Sequence, residues 1–116
     1  MKICANSYIL IIDEYKTPEV ISMELTELSN VLKILGHPLR LKVLLLLKEN
    51  GEMCVCELLP LLDVTQPNLS QHLSIMRLGG LLENTKVGNT IRYRLTNSEF
   101  LHEILEVVEK YSKVEV

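Results

Sequence analysis

Apolar positions recur at helical spacing in the first part of the chain. Thr17-Pro18-Glu19 has the composition of a helix start, because threonine caps helices and proline is favoured at the first helical position. Apolar residues then follow three or four positions apart up to Gly36, which predicts a helix of roughly four to five turns. These residues are Ile21, Leu25, Leu28, Leu32 and Leu35. Residues 1–17 show no clear periodicity and are predicted to form an N-terminal arm.

Three further helices are predicted before residue 80. His37-Pro38 begins the second, with one apolar face, and Asn50-Gly51 ends it. A short third helix is predicted over Glu57–Leu62. After a tight turn, Thr65 caps a fourth helix that ends at Gly79-Gly80. The inward positions of the second helix are Leu39, Val43, Leu46 and Leu47, and those of the fourth are Leu69, Leu73 and Met76.

The pattern then changes from helical spacing to alternation. Leu82–Val87 and Thr90–Leu95 are predicted strands around a Gly-Asn turn, which indicates a β-hairpin. Thr96–Glu99 has the spacing of a capping box and is expected to open a last helix. The apolar arc of that helix is broader than one small core needs, so part of it is expected to face another subunit. The order of elements predicts a mainly α, winged helix-turn-helix fold of about five helices and a two-stranded wing, with residues 18–116 as the DNA-binding and dimerisation domain.

The fourth helix has the polar amino end that a DNA-reading helix needs. Its apolar face would hold the scaffold while Gln, Asn and Ser side chains meet base edges in the major groove. Basic residues after it and on the hairpin are suited to phosphate contacts. The predicted DNA-binding residues are Thr65, Gln66, Asn68, Ser70, Gln71, His72, Arg77, Lys86 and Arg92. For His72, packing against the preceding helix is an equal alternative.

The charge distribution supports this assignment although the net charge of the chain is −3. Residues 63–98 contain four basic and two acidic side chains. Of the four segments 1–35, 36–62, 63–98 and 99–116, only this one has a net positive charge. A local basic surface matters more for nucleic-acid binding than the total charge. The alternatives are a merely solvated helix face, an effector-independent DNA-binding protein and a protein-interaction domain.

Composition excludes several other classes. The hydrophobic fraction of 47% and charged fraction of 23% are ordinary for a globular domain. No apolar run is long enough to span a membrane, and the Tyr8–Ile12 stretch is too short for a signal peptide, so a cytoplasmic location is expected. The three cysteines are an odd number, so no disulfide framework is predicted. Neither a phosphate-binding glycine loop nor a nucleophile with a paired base is evident, so no enzyme is predicted.

Four motifs in order resemble the ArsR/SmtB family of metal-responsive repressors. They are the segments 35–40 (Leu-Gly-His-Pro-Leu-Arg), 54–58 (Cys-Val-Cys-Glu-Leu), 70–73 (Ser-Gln-His-Leu) with Arg77, and 92–95 (Arg-Tyr-Arg-Leu). The resemblance covers about residues 24–111. It implies a homodimer joined by its first and last helices, a two-fold double-stranded DNA operator, and an inducer that lowers DNA affinity.

Cys54 and Cys56 are the candidate inducer ligands. Thiolates prefer soft ions such as As(III), Cd(II) or Pb(II). Two residues apart, the thiols share no helical face, but a helix that is distorted or begins after Cys54 lets both sulfurs converge. The resemblance implies a third ligand, which in arsenic-sensing relatives is a cysteine close by on the same helix. Leucine and proline stand there in this chain, so Cys4 of the N-terminal arm becomes the candidate, as in cadmium/lead-sensing relatives. Redox or persulfide sensing and a purely structural role are the alternatives for these cysteines.

Overall fold

The computed structural model describes residues 23–112 of the 116-residue chain. Five α-helices and three strands lie in this range. The helices are α1 (Leu25–Leu35), α2 (Pro38–Asn50), α3 (Val55–Leu58), α4 (Gln66–Leu78) and α5 (Glu99–Tyr111). The strands are β1 (Glu52–Cys54), β2 (Leu82–Val87) and β3 (Thr90–Leu95), and a 3₁₀ turn, Leu59–Leu61, follows α3. The N-terminal arm with Cys4, and the predicted start at Thr17-Pro18-Glu19, lie outside the described residues.

Helix α1 begins later than the sequence predicts. Met23 and Glu24 are not helical, so one continuous helix from Pro18 to Leu35 is wrong. Glu24 and Glu27 form a capping box at this start, in which the Glu27 carboxylate accepts a hydrogen bond from the Glu24 N–H at 3.1 Å. The reciprocal cap satisfies backbone donors that the first turn leaves open.

Helix α2 forms the centre of the core. His37 caps it by accepting the Leu39 N–H at its Nδ1 (3.1 Å), with Pro38 in the first turn. Five consecutive residues, from Val43 to Leu47, are buried. The prediction of one apolar face is therefore wrong, because α2 packs against α1, α4, α5, β1 and β3 and is surrounded on nearly all sides.

The wing contains one strand more than the hairpin that the sequence predicts. The hairpin itself is confirmed, with Val87 opposite Thr90 across the turn. Strand β1 pairs antiparallel with the other edge of β3, which gives the sheet order β1-β3-β2. Met53 and Tyr93, partners in this pairing, are both buried. The sheet thus connects the cysteine segment directly to the wing.

The last helix is capped differently from the sequence prediction. Ser98, not Thr96, is the N-cap residue, and its hydroxyl accepts the Leu101 N–H at 3.2 Å. The Thr96 hydroxyl instead donates to the Glu83 carboxylate on β2 at 3.3 Å. Thr96 and Ser98 are both suitable N-cap residues. Because the Thr96 hydroxyl bonds to Glu83, Ser98 caps the helix. None of the helices within residues 23–112 is long and apolar enough to cross a membrane.

Candidate DNA interface and cysteine site

Helices α3 and α4 form the helix-turn-helix pair, and α4 is oriented by its apolar face. Leu69, Leu73 and Met76 are completely buried, as the sequence predicts. The Thr65 hydroxyl caps α4 by accepting the Asn68 N–H at 3.3 Å. With three positions fixed in the core, the opposite face of α4 is directed to solvent.

The predicted base-reading residues lie together on this outward face. Thr65, Gln66, Asn68 and Gln71 are exposed, and Ser70 is half-buried. All five lie at the cap or in the first two turns of α4, the part of a recognition helix that enters the major groove. Arg77 is exposed in the last turn. The arrangement offers amide and hydroxyl groups near the helix start and a cation near its end.

His72 has a protein partner on the inner side of α4. Its Nδ1 accepts a hydrogen bond from the Arg40 Nε at 3.0 Å, and its ring centroid lies 4.6 Å from that of His37. Burial lowers the pKa of His72 below its usual value, and the neighbouring His37 and Arg40 lower the pKa further. Arg40 also donates to the Ile34 carbonyl at 3.3 Å. These contacts connect α4 to α1 and α2, whereas the alternative given for His72 was packing against the preceding helix, α3.

The wing places its cations in two different settings. Lys86 is exposed on β2. Arg92 instead donates to the Glu52 carboxylate (3.1 Å), the Glu52 carbonyl (3.0 Å) and the Glu57 carboxylate (3.2 Å). Arg94 contacts Glu52 at 3.5 Å and Glu83 at 3.1 Å. The positive charge counted along residues 63–98 is therefore partly neutralised in space, and Lys86 is the more available wing cation.

Cys54 and Cys56 lie at the start of α3. Helix α3 begins at Val55, so Cys54 is the extended N-cap residue, which is one of the two arrangements that allow their sulfurs to converge. The two sulfurs form a disulfide, with the Cα atoms 5.3 Å apart. This bond joins near neighbours in the sequence and is not a disulfide framework, and the sequence analysis did not predict it. Cys54 is 2% exposed and Cys56 is exposed.

The position of α3 also corrects the sequence prediction. The predicted helix over residues 57–62 begins two residues earlier and is followed by the 3₁₀ turn around Pro60. Cys54 and Glu57 form a capping box, in which the Glu57 carboxylate accepts the Cys54 N–H at 3.0 Å. The sequence analysis did not predict this cap, because a capping box usually begins with serine or threonine and not with cysteine.

The described residues supply two soft ligands and no complete metal site. Across residues 23–112, no group of three or more His, Cys, Asp or Glu side chains is arranged to hold a metal ion. Cys4, the predicted third ligand, lies outside this range. The Glu57 carboxylate, next to Cys56, accepts hydrogen bonds from the Cys54 N–H and from Arg92.

Sequence analysis missed the contacts that connect these sites. Glu52, Glu57 and Arg94 form the ion pairs of the wing, and His37 and Arg40 contact the DNA-reading helix. The Cys-x-x-Glu spacing at 54–57 was the one local signal for Glu57. The other contacts join residues 32 to 42 positions apart, and a local pattern cannot indicate them.

Comparison with known proteins agrees with this geometry. Residues 37–84 match the family described as "Bacterial regulatory protein, arsR family". The arsenical resistance operon repressor of Escherichia coli is 48% identical over 64 residues, 55% of this chain and 55% of that protein. The repressor of the same name from Staphylococcus xylosus is 43% identical over 79 residues, which is 68% of this chain and 74% of that protein.

A solved structure extends the likeness to the fold. The transcriptional repressor BigR from Xylella fastidiosa superposes with a TM-score of 0.69 at 33% identity, over 78% of this chain and 90% of that one. This chain spans about half the length of the E. coli relative, whereas the match to BigR covers nearly all of that chain. The relatives and the fold thus agree, and the chain belongs to the arsR family of bacterial regulatory proteins.

Proposed function

We propose that this protein is a homodimeric transcriptional repressor that leaves its operator when a thiophilic metal or metalloid ion binds its cysteine thiolates. One observation carries the proposal: the sulfurs of Cys54 and Cys56 converge at the start of α3, the first helix of the DNA-reading pair. The arsenical resistance repressors among its relatives support the same class of inducer.

Helix α4 reads the operator. Gln66, Asn68 and Gln71 meet base edges, because their amides pair well with adenine, while Thr65 and Ser70 are shorter donors near the backbone. Arg77 and Lys86 contact phosphates, which supply affinity and register without sequence information. The contact of His72 with Arg40 gives that residue a role in orienting α4. Arg92, fully engaged with two glutamates, is a weaker candidate for phosphate than Lys86.

The inducer site requires the reduced cysteines. A dithiol reductant opens the Cys54–Cys56 bond by exchange: its thiols lose two electrons and two protons and become a disulfide, while Cys54 and Cys56 gain them. A soft ion then displaces the thiol protons and binds both sulfurs. Two thiolates are an incomplete set, and Cys4 is the proposed third ligand. As(III), Cd(II) and Pb(II) fit a three-thiolate site.

The dimer forms through α1 and α5. These helices enclose an apolar groove of about 510 Å³, whose lining is Leu25, Leu28, Ser29, Leu32, Lys33, Phe100 and Ile104. Leu25 is 82% and Tyr111 75% exposed. Apolar side chains so open to water, on two adjacent helices, fit a second copy of the chain. Two copies place two α4 helices on a two-fold operator.

Release follows from a shift of α3 against α4. Ligation moves the α3 start, and α4 packs directly on α3, so the reading helices lose their register with the major groove. The ion must bind the DNA-free arrangement more tightly than the DNA-bound one, otherwise no release occurs.

An anaerobic titration of the fully reduced protein with Cd(II), Pb(II) and As(III) tests the site. Sulfur-to-metal charge-transfer absorbance is followed in the wild type, in Cys4→Ser and in Cys54→Ser/Cys56→Ser. A saturable band at one ion per subunit, weakened in Cys4→Ser and absent in the double variant, supports three thiolate ligands. No band in the wild type contradicts the metal site. A DNA affinity that then responds to oxidants would favour redox sensing.

A further inference from the structure

Arg92 stands at the junction between the cysteine segment and the wing. In the pairing of β1 with β3, Arg92 is the direct partner of Cys54. Its guanidinium bridges two elements: Nε and Nη2 donate to Glu52 of β1, and Nη2 also donates to Glu57 of α3. The side chain of Arg92 is 29% exposed. A charge held by three donor contacts at this depth loses much of the freedom of a surface arginine.

One oxygen of Glu57 joins this contact to the cysteines. Oε1 accepts both the Arg92 Nη2 at 3.2 Å and the backbone N–H of Cys54 at 3.0 Å. Glu57 follows Cys56 directly on α3. A backbone change at Cys54 or at the start of α3 therefore moves the Glu57 carboxylate that accepts the hydrogen bond from Arg92.

Resting on the proposed function, we propose that Arg92 is a positioning residue that couples the cysteine site to the DNA-reading wing. With the capping box intact, Arg92 joins β3 to α3 and holds the wing in one orientation. When ligation pulls Cys54 and Cys56 out of this arrangement, the Glu57 acceptor moves, the three-contact geometry breaks, and the wing is released. The same link acts in reverse, because coupling between two binding sites is reciprocal.

Arg92→Lys separates geometry from charge. Lysine keeps the cation but has a single nitrogen and cannot reach two glutamates and a carbonyl in the arginine geometry. Arg94→Lys is the matched control on the same strand, since Arg94 bonds to Glu52, Glu83 and Thr85 and does not contact Glu57 in any described bond. DNA affinity is measured with and without saturating Cd(II), on a duplex that the reduced wild type selects from a random pool.

The expected result is a loss of coupling with retained Cd(II) binding. In the wild type and Arg94→Lys, Cd(II) weakens DNA binding by a factor of about 5–150, the usual range of such coupling. In Arg92→Lys this factor falls towards 1, because without the three contacts the wing is already released. Its DNA affinity without metal falls towards that of the Cd(II)-bound wild type, while one Cd(II) still binds per subunit. An undiminished factor in Arg92→Lys overturns the proposal. So does an equal loss in Arg94→Lys.

A second experiment uses no metal. It therefore tests the coupling through Arg92 even if the proposed metal site is wrong. The reduced protein is treated with iodoacetamide, and alkylation of the exposed Cys56 is followed by peptide mass spectrometry, with and without the selected DNA. We expect DNA to change the alkylation rate several-fold in the wild type and Arg94→Lys but not in Arg92→Lys. A rate that DNA changes equally in all three proteins contradicts the link, whatever the metal titration shows.

Arg92→Gln distinguishes the link from a direct phosphate contact. If Arg92 only contacted phosphate, Arg92→Gln would weaken binding to all duplexes and reduce the salt slope by about 1, and the Cd(II) factor would be unchanged. We expect the opposite: a salt slope like that of the wild type and a Cd(II) factor near 1.

Discussion

Cys54 combines two roles in a single side chain. As N-cap residue of α3 it faces the Glu57 N–H in a capping box, where serine or threonine is usual. As a soft sulfur ligand beside Cys56 it belongs to the proposed inducer site. Sulfur is a weak hydrogen-bond acceptor, so the cap of α3 is weaker than a hydroxyl cap would be. The start of α3 is therefore a place where ligand chemistry can change helix geometry at small cost.

Cys54→Ser should preserve the fold while removing a ligand. A serine hydroxyl fits the same cap, so the free energy of unfolding of the reduced protein should equal or slightly exceed that of the wild type. Cys54→Ala, which has no acceptor, should lower it by about 1 kcal/mol. Urea unfolding under reducing conditions measures both. A serine variant less stable than the alanine variant would show that burial of the sulfur, and not capping, dominates at this position.

Gln71 is expected to read bases. Gln71→Ala should weaken binding to the selected operator by about 1–3 kcal/mol, with little change in melting temperature because the side chain is exposed. Ser74→Ala, also exposed and one turn further along α4, serves as the control. Fluorescence anisotropy with operator and with random DNA makes the comparison. An equal loss on both duplexes would rule out base reading by Gln71.

Between elements, the contact of α4 with α2 depends on a neutral histidine. The Nδ1 of His72 accepts from Arg40 and therefore carries no proton. Burial, then His37 and Arg40, hold the pKa of His72 below its usual 6.5. The described partners of His72 are therefore Arg40 on α2 and His37, the N-cap residue of α2. The orientation of α4 is thus tied to the protonation state of His72.

The stability of the fold should fall in mild acid through His72. Below pH 6.5 the unfolded chain takes up a proton that the folded state resists, so the free energy of unfolding decreases until the pH reaches the lowered pKa. Above pH 6.5 both states are neutral and this contribution is zero. His72→Gln, whose amide oxygen can accept from Arg40, should lose less stability between pH 7 and pH 5.5 than the wild type. Chemical unfolding at each pH measures the difference.

His102→Gln is the control for this comparison. His102 is exposed on α5 and has no described hydrogen bond to Arg40. Its variant should follow the pH dependence of the wild type. If His72→Gln did so as well, the neutral state of His72 would contribute nothing to stability over this range.

Elements with local signals could be predicted from the sequence, and those shaped by distant contacts could not. Helix α4 has its cap, apolar spacing and glycine stop within one segment, and β2–β3 has a turn between two alternating runs. Strand β1 is only three residues long and exists because β3 pairs with it. The cap of α5 moved from Thr96 to Ser98 because Thr96 bonds to Glu83 on another strand.

At the scale of the molecule, the first and last helices of the described residues, α1 and α5, both expose large apolar side chains. Leu25 and Leu32 of α1 and Val107 and Tyr111 of α5 are all more than half exposed. The candidate site, too, could be predicted only in part. The outward face of α4 follows from local periodicity, whereas the contacts of Arg92 and His72 depend on how distant segments pack. From its residue type and its place on the hairpin, Arg92 was predicted to contact a DNA phosphate. The structure shows that its side chain instead bonds to Glu52 and Glu57.

Leu32→Glu should break the proposed dimer. A carboxylate in an apolar interface is costly to desolvate, so the variant should be monomeric by sedimentation equilibrium and bind the two-fold operator much more weakly. Val87→Glu, on a similarly exposed apolar residue of the wing, should remain dimeric. A dimeric Leu32→Glu protein would place the subunit contact elsewhere.

The central claim is that soft-ion binding at Cys54 and Cys56 releases the protein from DNA. The most direct measurement is fluorescence anisotropy of the selected operator with reduced protein, titrated with As(III), Cd(II) or Pb(II), in the wild type and in Cys54→Ser/Cys56→Ser. We predict that at least one ion dissociates the wild type, while the double variant binds the operator equally well with and without it. Release of the double variant by the same ion, or no release of the wild type by any of the three, would contradict the account.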